Sequence, residues 1–247
     1  MGSPVKRYQQ EMHNNLGFFA TWLPSTAIAL GDIGVLQAGR FRRVASLKEL
    51  GIAQTEVREG MAENVSYSAS AKRSDNLSVG AGTAVPLAKG ELSITFTSEG
   101  GYIFEAINMK QMEVANRLSL ASNILKAHDD GRWQKEWLVI DALYRAESAT
   151  ILVSEDSASE IVLKANAAAL PAGLLPLADP KLGLGIASSS GKIVHIVAAN
   201  NLQPLYSCVK VREPFLVGKA SVVPVRGRAD QHADALGRPS IDDLLNS

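Results

Sequence analysis

The sequence has one cysteine, Cys208, in 247 residues. No internal disulfide can form, which suits a reducing compartment. Histidines are few: His13, His128, His195 and His232. None lies within ligand spacing of another, and none pairs with the cysteine in a zinc pattern, so no metal site is expected. Charge of one sign does not predominate. The 25 basic and 25 acidic residues give a formal net charge of +0, which argues against a globally nucleic-acid-binding surface and leaves room only for a local basic patch. Long apolar runs are also missing. The longest, Ala167–Ala178, is too short to span a bilayer and contains Pro171 and Pro176. The first fifteen residues have no apolar core of the signal-peptide kind. Lys6 stands where a myristoylation signal wants Ser or Thr. A soluble, cytoplasmic chain is expected.

Catalytic patterns are absent too. Between Gly185 and Gly191-Lys192 lie five residues where a phosphate loop wants four, and Ile193 stands where Ser or Thr should hold magnesium. Gly80-Ala81-Gly82 lacks the third glycine of a dinucleotide fingerprint. His195 and Cys208, on neighbouring strand candidates, read either as a Cys–His dyad or as ordinary packing residues. Ser188, Ser189 and Ser190 have no nucleophile-elbow context. Glu155, Asp156 and Glu160 lack the calcium-loop spacing. No catalytic residue, metal or cofactor is expected, and the chain is read as not an enzyme.

What is there is apolar patterning, carried by 46% hydrophobic residues. The strongest stretch is Trp133–Ala165. Its runs Trp137–Ile140, Ile151–Val153 and Ile161–Leu163 are rich in β-branched and aromatic residues, which predicts buried strands. Glu155–Ser159 is a loop signal and predicts a hairpin between the last two runs. Asp141, Arg145 and Glu147 read either as a charged site in a cleft or as a solvated face with a structural ion pair. Trp133 and Trp137 read as a core anchor rather than a ligand platform.

Residues 4–20 predict a helix, with Tyr8, Met12, Leu16 and Phe19 on one face, packed on a sheet or lying at a membrane interface. Ser46 and Glu49 have capping-box spacing, and Gly51 is placed to end that turn. Residues 53–106 alternate, as in Val65, Tyr67 and Ala69, and again in Leu92, Ile94 and Phe96, so one face is apolar and the other wet. Residues 108–128, with Met109, Met112, Leu118, Leu120, Ile124 and Leu125, predict a second helix. Leu182–Ile186, Ile193–Val197 and Leu205–Val211 predict three strands, and Phe215–Val225 an edge strand. The fold class is α+β, a mainly antiparallel twisted sheet with two or more flanking helices. Residues 1–225 are read as a single domain and 226–247 as a flexible C-terminal tail.

The Leu30-Gly31-Asp32 turn, the hairpin-rich passage Glu63–Ala106 and the later strands of Trp137–Ala165 give an order of elements that resembles the pore-forming domain of gasdermins. The resemblance implies an autoinhibited protein whose hairpins extend into amphipathic strands and assemble a membrane pore once an inhibitory segment is released. Such strands need alternating faces and closed edges. The chain departs from bacterial gasdermins in having no cysteine near its N-terminus, and from animal gasdermins in its short tail.

Two functional classes follow. The first is a non-enzymatic, gasdermin-like membrane effector that oligomerises into pores after a protease or protein partner acts. Lys6, Arg7, Arg40, Arg42 and Arg43 would meet anionic lipid, and Ile241, Leu244 and Leu245 would dock the tail. The second is a soluble binding or scaffold protein that assembles through sheet edges without membrane contact. No nucleic-acid partner is expected from either. A hydrolase using Cys208 or a serine is a third reading.

Overall fold

The computed structural model describes residues 4–21, 27–37, 40–53, 56–78, 89–166, 176–212 and 221–223. Helix α1 (Pro4–Leu16) opens the chain. It is followed by strands β1 (Phe19–Ala20), β2 (Asp32–Gln37), β3 (Arg40–Ser46), β4 (Val57–Glu59), β5 (Glu63–Ala69), β6 (Ala71–Ser78), β7 (Lys89–Phe96) and β8 (Tyr102–Val114). Helix α2 (Arg117–Asp129) then leads to β9 (Leu138–Ser154), β10 (Ser159–Asn166), β11 (Gly185–Ser190), β12 (Ile193–Arg212) and β13 (Ser221–Val223). The fold is α+β and mostly antiparallel sheet, as the alternation predicts. The chain divides into two compact units. The first unit is Met1–Tyr8, Ala62–Met109 and Ala146–Leu202; the second is Gln9–Met61, Lys110–Arg145 and Gln203–Ser247.

The first unit is built on a four-stranded sheet of order β11-β10-β7-β6. Ile161 stands opposite Ile94 and Leu163 opposite Leu92 across β10 and β7. Period-two alternation turns Leu92, Ile94, Phe96, Ile161 and Leu163 to one face, where Ile103, Leu152 and Leu177 cover them. Thr95, Glu160 and Lys164 are exposed on the other face. Each fully buried Leu, Ile or Phe contributes roughly 1.5–3 kcal/mol. Leu177 is held over the apolar face by its backbone: its N–H donates to Glu105, and its carbonyl accepts from the Thr150 hydroxyl at 2.8 Å. Next to this sheet in sequence, β5 pairs with the first part of β8, Tyr67 opposite Phe104.

The hairpin expected at Glu155–Ser159 does not form. Both edges of β10 are taken, by β7 and β11, so β9 is not its partner. The turn instead hands the chain to another sheet. The Ser154 hydroxyl donates to the Asp156 carbonyl at 2.7 Å and lies 2.6 Å from the Ser159 hydroxyl. Asp156 in turn accepts from the Lys192 N–H at 2.6 Å.

The second unit carries the strand order β1-β12-β9-β2-β3. β4 lies on the end of β8, and β13 on the end of β12. Its α2 face of Leu120, Ala121, Ile124 and Ala127 packs with Val139, Val209, Val211 and Trp133. Trp133 meets Trp137 edge-on at 5.6 Å, a core anchor as expected. A further cluster gathers Phe19, Ile28, Ile140, Leu143, Tyr206 and Cys208.

Three other expectations need correction. The helix predicted over 108–128 begins only at Arg117; Met109 and Met112 belong to β8. The three-residue methionine spacing imitates a helix, but Asn116 is what starts one, its side chain accepting from the Ser119 N–H at 2.9 Å. The helix predicted over 4–20 stops at Leu16, where Gly17 takes φ 70° and donates to the His13 carbonyl at 2.8 Å. Ile193–Val197 and Leu205–Val211 are one strand, β12, which runs through Pro204. The Pro204 carbonyl still accepts from the Thr21 N–H at 2.9 Å, so the proline does not end the pairing.

Gly34 is a position where the backbone leaves no room. A Cβ there would lie 2.2 Å from the Arg42 carbonyl oxygen and 2.6 Å from Phe41 Cζ. Gly34→Ala is therefore expected to destabilise the protein by about 2–3 kcal/mol through overpacking, read as a lower urea midpoint at unchanged slope.

Candidate functional site at a basic edge strand

The densest basic cluster in the sequence lies on β3. This strand ends the order β1-β12-β9-β2-β3, so its outer edge has no partner among the described residues. Its hairpin with β2 sets Gln37 opposite Arg40, Leu36 opposite Phe41, Val35 opposite Arg42 and Gly34 opposite Arg43. Ile33 then faces Ala45, which leaves Val44 as the extra residue of a bulge. Bulges and charge are the usual protections of an edge strand.

Alternation separates the cluster into two faces. Phe41 points inward, half-buried against the Tyr206 ring at a centroid distance of 6.0 Å. Arg43 shares that face and is engaged by carboxylates. Its Nε donates to Asp32 Oδ1 at 2.9 Å and its Nη2 to Glu49 Oε2 at 2.8 Å. Asp32 also accepts from the Ala29 N–H at 2.8 Å, closing the turn in which Gly31 takes φ 81°. These two hydrogen bonds hold the Arg43 guanidinium above its ordinary value. The Glu49 carboxyl is held below its own ordinary value, with the hydrogen bond from Arg43 the first cause and Ser46 the second.

Arg40 and Arg42 project to the opposite face and are exposed, as is Val44 at 52%. Neither arginine forms an ion pair with a described residue. The Cα atoms of residues i and i+2 stand about 7 Å apart along a strand, so the two guanidiniums start from neighbouring points on one face. Each can grip a phosphate by two parallel hydrogen bonds, and Arg is less strongly hydrated than Lys. The arrangement suits two neighbouring anionic groups on a surface laid against the edge.

The remaining predicted residues fall elsewhere. Lys6 and Arg7 are on the first turns of α1, in the first unit, while β3 is in the second. Ile241, Leu244 and Leu245 lie outside the described residues. Asp141, Arg145 and Glu147 do not form one site. Asp141 is buried and accepts from the Ser207 hydroxyl at 2.7 Å, while Glu147 is exposed and accepts from Asn108. Arg145 is exposed. Cys208 is fully buried beside Tyr206, whose phenol is pushed well up by burial, and His195 is exposed, so no accessible dyad forms. Gly185–Ser190, which lacks phosphate-loop spacing, is an exposed edge strand.

The polar group that spacing did not reveal joins Asp141 to Arg117 and Glu113. Arg117 Nε lies 3.3 Å from Asp141 Oδ2, and its Nη2 donates to Glu113 Oε2 at 3.2 Å. The available signal was chemical: an aspartate inside the apolar run Trp137–Leu143 must be partnered.

No protein-family model matches the chain, and no curated protein matches it. The chain is similar to one in the solved cryo-EM structure of the Gasdermin A3 membrane pore, with 12% identity and a TM-score of 0.42, over 96% of this chain and 99% of that one. The resemblance is structural and weak.

Glu49 makes the Arg43 cluster sensitive to acid. Its folded value is depressed, so its contribution to stability is present above the ordinary glutamate value of 4.5 and is lost as pH falls through the lower folded value. Glu49→Gln should therefore be less stable than wild type at pH about 7 and equally stable once Glu49 is protonated in both states, as read from urea midpoints across pH.

Proposed function

We propose that this chain is a non-enzymatic, gasdermin-like membrane effector that binds anionic lipid and oligomerises into pores. One observation carries the reading: in the β11-β10-β7-β6 sheet, β7 and β10 have alternating faces, and among the described residues their apolar face is covered by other parts of the same unit. β7 and β10 are eight residues each, close to the roughly 9–11 that cross a bilayer as tilted barrel strands. Once the cover of Ile103, Leu152 and Leu177 is withdrawn, the same alternation turns one face to lipid and the other to water. No described helix is long and apolar enough to cross a membrane, a statement that leaves strands aside.

In this reading Arg40 and Arg42 make the first contact with lipid phosphates, Lys6 and Arg7 add charge, and Arg43 fixes the shape of the hairpin. The chain waits in the cytoplasm and moves to the membrane when a protease or protein partner releases the tail, which Ile241, Leu244 and Leu245 hold in place. Copies of the chain then join edge to edge.

A second reading is a soluble scaffold that assembles through sheet edges without lipid. β11 supports it. The strand is exposed along its whole length, lies at the end of its sheet, and has the sequence GIASSS, without charge or proline. An edge so little guarded invites another strand.

Dye leakage from vesicles containing phosphatidylserine separates the two. The chain ending at Arg226 should cause leakage and the full chain should not. Arg40→Glu/Arg42→Glu in the shortened chain should cut the leakage rate by about tenfold or more, with added salt acting in the same direction. Folded protein that leaks no vesicle in either form, yet still associates in solution, would contradict the pore and leave the scaffold.

A further inference from the structure

Helix α2 is fastened unevenly. Its buried face offers only Leu120 and Ile124 as large residues, the other two being Ala121 and Ala127. Leu125 packs partly buried beside them, and polar ties add to this. Asn123 donates to the Ala53 carbonyl at 3.3 Å, and just beyond the helix Arg132 donates to the Leu50 carbonyl at 3.2 Å. Both of these ties are exposed.

The N-terminal end is held differently. Arg117 reaches from the first turn to Asp141 on β9, whose side chain is 1% exposed against 37% for the arginine. Asp141 Oδ1 accepts from the Ser207 hydroxyl of β12. Oδ2 and Arg117 Nε approach at 3.3 Å but are out of line for a hydrogen bond, and neither atom has a hydrogen-bond partner among the described residues. A buried carboxylate thus relies on one aligned hydrogen bond and one misaligned, partly hydrated cation. Glu113 holds the same guanidinium through Nη2 and is itself bridged by Gln111 to the Tyr144 hydroxyl. Such a pin holds while the pair is intact, and its loss leaves a buried charge unpaired.

We propose that α2 is a releasable strap, with Arg117–Asp141 as its pin. Release uncovers the aliphatic stripe of Val139, Val209 and Val211, which α2 covers in the closed state. Glu113 already accepts from the same guanidinium, so Arg117 can leave Asp141 without losing all its pairing. This device is independent of the membrane reading and would serve a soluble assembly equally well.

Hydrogen exchange read by mass spectrometry on the full chain tests it. Arg117→Met should speed exchange across Arg117–Asp129 by about tenfold while Leu205–Val211 and the β7 and β10 amides stay unchanged. Arg117→Met combined with Asp141→Asn should return most of the protection, because no buried charge is then orphaned. Exchange in α2 that does not change, or that rises equally throughout the second unit, would overturn the proposal. If Arg117→Met fails to fold, Arg117→Lys is read by the same criterion, a rise confined to α2 supporting the strap and a uniform rise or none refuting it.

Discussion

The burial of β9 is the constraint on which the other features depend. Of its seventeen residues only Tyr144, Arg145 and Glu147 reach the surface appreciably. A strand covered on both faces needs a near-continuous apolar sequence, and any polar group within it must find a partner inside the protein. Asp141 takes Ser207 and Arg117, Thr150 takes the Leu177 carbonyl, and Ser154 takes the turn at Asp156. These three solutions fix, in turn, where the first turn of α2 is tied, what covers the four-stranded sheet, and how the chain enters β10. One strand therefore specifies much of the surrounding architecture in both units.

The two units put that constraint to different uses. In the second, buried aliphatics and aromatics form two clusters around a helix and the β2–β3 hairpin, and the charged side chains of that hairpin divide between a structural face and an open one. Arg43 belongs to the structural face because Asp32 and Glu49 both reach it, while Arg40 and Arg42 have no such neighbours among the described residues. In the first, a sheet with one apolar face is covered by a few residues of the same unit.

Much of this was legible in the sequence. The β-branched run at Trp137–Ile140 favoured a buried strand, which begins at Leu138, and the alternation at Leu92, Ile94 and Phe96 named residues of the covered face. The tryptophan pair and the Leu30-Gly31-Asp32 turn were readable for the same reason: local chemistry decides them. What failed was decided by tertiary pairing. Met109 and Met112 sit at helical spacing, yet β4 and β5 pair along β8 and hold it extended. The loop at Glu155–Ser159 looked like a hairpin because adjacent strands joined by a short turn usually pair, but β7 and β11 claim both edges of β10. Ile193–Val197 and Leu205–Val211 read as separate runs, yet β12 continues between them and through Pro204, whose carbonyl accepts from the Thr21 N–H. At the candidate site, the basic cluster was visible, but its division into one engaged and two exposed arginines depends on the register of β2 against β3.

The central claim is that the covered face of the β11-β10-β7-β6 sheet turns to lipid. The most direct measurement is quenching by a lipid-borne quencher of a fluorophore placed singly at Ala71→Cys, Ala165→Cys, Lys72→Cys or Lys164→Cys, with the buried Cys208 left unlabelled. Ala71 and Ala165 are half-buried on the apolar side, whereas Lys72 and Lys164 are exposed. With the chain ending at Arg226 on anionic vesicles, the account predicts quenching at Ala71 and Ala165 and little at Lys72 and Lys164. Equal quenching at all four positions, or none at any, would contradict it.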